Sequence, residues 1–136
     1  MNNLAPAIAQ DCFLKGVAEF NRQDYFDCHE SFEMLWQQST DEDERHYLQG
    51  ILQIAVALHH CQKQNSIGFS SLLAKGRGHL RLLLDKNWQS RNGSFTLAQV
   101  DLPHLLEEIE NEELTGTQQQ PIRHWPILLL IPPAQS

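Results

Sequence analysis

Apolar residues recur at helical spacing along most of this chain. From Ile8 to Asn21 they fall at Ile8, Cys12, Phe13, Val17 and Phe20, close to the period of one helix face. Asn21-Arg22-Gln23-Asp24 interrupts the pattern as a turn, with Asp24 placed to cap the next helix. That helix, about Tyr25 to Gln38, gathers Tyr25, Phe26, Phe32, Leu35 and Trp36 largely on one side. Ser39-Thr40-Asp41-Glu42-Asp43-Glu44 is a second start signal. Ser or Thr can cap there, and acidic residues in the first turn suit the positive end of the helix dipole. A third helix is predicted from about Asp43 to Lys63, with Asn65 ending it. Its middle, ILQIAVAL, is apolar on nearly every side, which predicts the central and most buried element.

A fourth helix is predicted over about Ile67 to Asp85, with Leu72, Leu73, Leu80, Leu83 and Leu84 facing inward. Gly76 and Gly78 weaken it by about 1 kcal/mol each against Ala, so both are read as marks of close helix contact. Asn87 to Thr96 reads as a loop. Asp101-Leu102-Pro103 opens a fifth helix with Leu105, Leu106 and Ile109 on its apolar face, and Gly116 lies beyond its end. The tail HWPILLLIPPAQS sets five aliphatics between Pro126 and the Pro132-Pro133 pair. Proline opposes a helix there. An extended segment laid over an apolar groove is predicted, of this subunit first and of a neighbour second. The fold class is all-α: one domain over residues 1–136, a bundle of about five helices, and an extended hydrophobic C-terminal tail at about 121–136.

Composition narrows the partners. A chain of 136 residues suits one domain with a real core. Ten Lys and Arg against 17 Asp and Glu give a net charge of -7, which argues against nucleic acid, because phosphate binding needs clustered cations. The closest basic grouping is Lys75, Arg77 and Arg81. The longest apolar runs, Ile51–Leu58 and Ile127–Ile131, fall far short of the ~20 residues of a membrane helix. Cys12, Cys28 and Cys61 show no CxxC spacing, and MNNLAPAIAQD has no secretory pattern, so a cytoplasmic location is expected.

The chemistry-bearing candidates sit on the second and third helices. His29 and Glu33 are spaced i, i+4 and share a helix face. Such a pair can hold one divalent metal, or the carboxylate can orient the imidazole. Glu30 neighbours Glu33 but points about 100° away from His29. On the third helix Gln49, Gln53 and His60 share a stripe. Burying an amide without a partner costs about 1–3 kcal/mol, so Gln53 should meet something polar. In an antiparallel hairpin of the two helices, Gln53 comes level with His29. Gln53 and His60 are separated by about 10.5 Å of rise, too far for one ion with bonds of about 2 Å to take both easily. The expected metal set is therefore His29 and Glu33 with either His60 or Gln53, His60 being the ligand taken forward and Gln53 then a supporting partner, with Gln49, Glu30 and Trp36 lining the site. A purely structural His–Glu–Gln–His network is the competing reading.

FNRQDYFDCHESFEMLW followed by YLQGILQIAVALHHCQKQN resembles the bacterial and archaeal domain of unknown function 309 family. The shared pattern is His-x3-Glu-x2-Trp, then Gly-x2-Gln-x6-His: His29, Glu33 and Trp36, then Gly50, Gln53 and His60. The resemblance covers about residues 10 to 85 and implies an all-helical fold and a metal-binding motif, with no established activity. Gln64 stands where the family usually has Gly, and His59 where Tyr is common.

Three functions compete. The first is a small metalloprotein, with zinc, manganese or iron on His29, Glu33 and His60 and with hydrolytic chemistry in reach. The second is a non-catalytic interaction or homo-oligomerisation module whose polar network is structural. The third is a small-molecule binder using the polar stripe as a pocket floor. Cys28 and Cys61 read as buried inert thiols. His46, His79, His104 and His124 read as scattered surface or satisfied histidines.

Overall fold

The computed structural model describes residues 5–88, 97–110 and 125–131. Among these the chain forms five helices and no named strand: α1 Pro6–Asn21, α2 Tyr25–Gln38, α3 Glu42–Gln62, α4 Ser66–Asp85 and α5 Leu102–Glu110. The fold is the expected all-α bundle. Most of the expected loop after Asn87, Gly116, His124 and the outer parts of the tail lie outside the described residues.

The helix ends follow local chemistry, with corrections. α1 begins at Pro6, where the missing N–H costs nothing. Asp24 occupies the cap position of α2 but makes no side-chain cap; its carboxylate accepts from Arg22 Nε at 3.1 Å. The cap of α3 is Asp41 rather than Ser39 or Thr40, accepting from the Glu44 amide at 3.0 Å. Asn65 caps α4 by accepting from the Gly68 amide at 3.0 Å, and Asp101 caps α5 through the His104 amide at 3.0 Å. Gln64, between α3 and α4, has a φ of 60°. A left-handed residue there explains the preference for Gly at this position, and Gln bears a cost of about 1–2 kcal/mol for it.

α3 is the central element, as its pattern predicts. Tyr47, Leu48, Ile51, Ile54, Ala55, Ala57 and Leu58 are all fully buried. Phe13 of α1 meets Phe32 of α2 edge-on at 5.3 Å and stacks on Tyr47 at 5.7 Å between centroids. The Tyr47 hydroxyl donates to the Ala98 carbonyl at 3.1 Å and accepts from the Val100 amide at 2.7 Å. This hydroxyl ties residues 98–100 to the bundle.

The tail is extended and lies on its own subunit. Val100 and Leu130 form an isolated antiparallel bridge, with Asp101 N to Leu129 O at 2.7 Å and Ile131 N to Gln99 O at 2.8 Å. Asn21 clamps Leu128 from the other side: its Nδ2 donates to the Leu128 carbonyl at 3.1 Å and its Oδ1 accepts from the Leu128 amide at 2.7 Å. Leu128 enters the core, and Trp125 packs near Tyr25 at 5.8 Å between centroids.

Candidate functional site between α2, α3 and α4

His29 and Glu33 meet as their spacing predicts, His29 Nε2 to Glu33 Oε2 at 3.3 Å. The His29 side chain is 27% exposed and that of Glu33 44%, so the pair is open to solvent. Phe26 lies between two imidazoles, 5.9 Å from His29 and 5.8 Å from His59 by centroids. One turn after Glu33, Trp36 carries the Arg45 guanidinium 4.1 Å from its ring centroid. Arg45 Nη1 also donates to the Trp36 carbonyl at 2.8 Å and the Ser39 carbonyl at 3.0 Å, closing the C-terminal end of α2. Glu30 is exposed.

Arg45 and His59 of α3 reach polar or aromatic groups of α2, and at the far end Gln62 Nε2 donates to the Gln23 carbonyl, just before α2, at 3.0 Å. Arg45, Leu52 and His59 recur every seven residues, one helix stripe. Gln53 and His60 belong to the adjacent stripe, about 100° around the helix. His60 of that stripe stands beside the start of α4. His60 Nδ1 pairs with Asn65 Nδ2 at 3.1 Å, and a Cβ at Gly68 would lie 2.8 Å from the His60 ring. His46, which leads this stripe, pairs with His79 of α4, Nδ1 to Nδ1 at 2.8 Å.

The expected meeting of His29 with Gln53 and His60 therefore changes. Level placement in a hairpin is not facing placement. His29 and Glu33 lie on α2 beside Phe26 and His59, whereas His60 turns to the start of α4. His60 engages Asn65 through Nδ1 beside the start of α4, while His29 and Glu33 pair with each other on α2. Among the described residues no three His, Cys, Asp or Glu side chains converge as a metal-binding group. Among the described residues, the buried amide oxygen of Gln53 and the buried indole nitrogen of Trp36 meet no hydrogen-bond partner. Each such group costs about 1–3 kcal/mol.

Two features escape a reading by residue spacing. Glu19, only 4% exposed, accepts from the Ser31 hydroxyl at 2.7 Å and pairs with Lys15 at 3.4 Å. His46 and His79 lie 33 positions apart and carry no local signal, though His46 extends the Gln49–Gln53–His60 stripe by one step. Burial, then the neighbouring His46, lowers the His79 pKa below its usual value. Burial pushes the Cys28 thiol well above its ordinary range and raises Cys61 too, which supports inert thiols.

Residues 13–72 match the family described as a domain of unknown function (DUF309). The uncharacterized protein YpuF of Bacillus subtilis (strain 168) is 36% identical over 63 residues, which are 46% of this chain and 36% of that protein. The chain thus aligns with about a third of that relative's length. No solved structure matches. No helix among the described residues is long and apolar enough to cross a membrane. The match takes in His29, Glu33, Gln53 and His60 and ends within α4, so over residues 13–72 the chain is similar to the domain of unknown function 309 family.

Proposed function

We propose that this protein is a non-catalytic helical interaction module that pairs with a second copy of itself through its C-terminal segment. One observation carries the reading. Ile127 is 39% exposed, Leu129 40%, Leu130 41% and Ile131 40%, on an extended segment that pairs with residues 99–101 along one edge. An extended apolar edge is a template for further pairing, and an isologous contact lets the same patch serve both copies. The motif histidine His60 supports the same view, since its Nδ1 pairs with Asn65 where α3 passes into α4, a structural use of the side chain. Three free cysteines support a reducing, cytoplasmic setting.

The test is sedimentation of the full chain against a Leu129→Glu, Ile131→Glu double variant at roughly 100 µM, where contacts with Kd in the micromolar range are populated. A dimer in the parent and a folded monomer in the variant are expected. A monomeric parent would sink the proposal.

A second reading rests on the 3.3 Å His29–Glu33 pair, which supplies two ligands for a divalent ion without His60. A metal-induced rise in Tm that disappears in Glu33→Gln is its expected signature; no change on mutation removes it.

A further inference from the structure

We propose that His46 and His79 form a transition-metal site that clamps α3 to α4. The two Nδ1 atoms lie 2.8 Å apart, with ring centroids at 5.0 Å and planes inclined by 37°. In a neutral pair one Nδ1 carries a proton and the other accepts it. An ion in place of that shared proton takes both lone pairs. The donor ring moves its proton from Nδ1 to Nε2, so the neutral pair loses no proton. Bonds of about 2.0–2.1 Å in tetrahedral geometry need the nitrogens about 3.3 Å apart. The rings must therefore open by about half an ångström, which half-exposed side chains can do by rotating.

The backbone is already held for this. Gly50 and Gly76 stand about one turn from the two histidines, and there the helices touch: a Cβ at Gly76 would lie 2.8 Å from the Gly50 carbonyl oxygen. A rigid crossing preorganises both ligands. Asp43, one turn before His46 on α3, is engaged by Lys86 Nζ at 2.7 Å, which leaves the imidazoles as the ligands. Water completes the shell of an ion with two protein ligands. Imidazole donors select copper, nickel or zinc over magnesium and calcium. His79 lies beyond the residues matched by the family, so this site is separate from the family motif.

The experiment is a thermal-shift titration of the full chain, purified without an affinity tag, with nickel, zinc and magnesium. A ligand that binds only the folded state raises Tm as its concentration passes Kd. A rise with nickel and zinc but not magnesium is expected, lost in His46→Gln and in His79→Gln and kept in His29→Ala and Glu33→Gln. No rise, an equal rise with magnesium, or a rise that survives both Gln variants overturns the proposal. Should either variant fail to fold, nickel added to the parent chain reads the site directly through its imidazole NMR signals. Broadening centred on His46 and His79 upholds the site, and broadening centred on His29 or another histidine overturns it. The oligomeric state is a separate readout, so failure here leaves the self-association proposal standing, and the reverse.

Discussion

On the side of α3 that meets α4, two glycines let the backbones touch. On the side that meets α2, the contacts are made by large side chains. A Cβ at Gly50 would lie 2.6 Å from Leu80 Cδ2, and one at Gly76 2.8 Å from both the Gly50 carbonyl and Ile54 Cγ1. Across the other seam, the Arg45 guanidinium lies over Trp36 and the Phe26 ring stands between His29 and His59. The difference is one of tolerance. Backbone atoms at contact cannot step aside, while a ring or a guanidinium can turn. The α3–α4 seam sets the geometry of the bundle. The α2–α3 seam, with Phe26 54% exposed and His29 and Glu33 open to solvent, leaves its surface free to vary.

The comparison breaks most sharply at Gly76. Gly76→Ala drives a methyl against backbone oxygen and must push the helices apart. Overpacking of this kind costs about 1–3 kcal/mol, and the upper end is expected where backbone blocks the methyl. A urea midpoint unchanged by this substitution would show that the crossing is looser than its distances. Arg45→Ala probes the other seam with a smaller loss, about 1–2 kcal/mol, from the ring contact and the hydrogen bonds to the Trp36 and Ser39 carbonyls. Its readout is the same denaturation midpoint, and a loss greater than that of Gly76→Ala would reverse the ranking of the two seams. Gly78→Ala is the smallest change and has the opposite sign. Among the described residues no atom beyond α4's own backbone lies within 4 Å of a Cβ there, so relief of glycine's backbone entropy should stabilise α4 by about 0.5–1 kcal/mol. Destabilisation by Gly78→Ala would contradict the open surface at that position.

The two glycines show why sequence reading stops where it does. Both sit inside a helical pattern and both read as contact glycines. Only Gly76 has one, because whether a missing Cβ matters depends on a neighbouring helix whose phase the local pattern does not carry. The polar candidates teach the same lesson. The i, i+4 spacing of His29 and Glu33 was enough to bring them together, since one helix supplies both. Level alone sets His60 opposite α2, yet its ring stands beside the start of α4. A helix turns about 100° per residue, so neighbouring stripes face different partners: Arg45 and His59 meet α2, while His46 and His60 meet α4.

By itself the sequence determined what a single helix decides: five helical segments, the Asp101 cap and the Asn65 boundary, the burial of α3, and the His29–Glu33 pair. Each follows from periodicity or from hydrogen bonds spanning a few residues. The tertiary structure decided how α3 is shared between its neighbours. It set His60 beside the start of α4, joined His46 to His79, buried Glu19 on Ser31, and laid Leu128 into the core of its own subunit. The physical reason is that the rotation of one helix against another depends on the packing of both, above all on the backbone contact at Gly50 and Gly76.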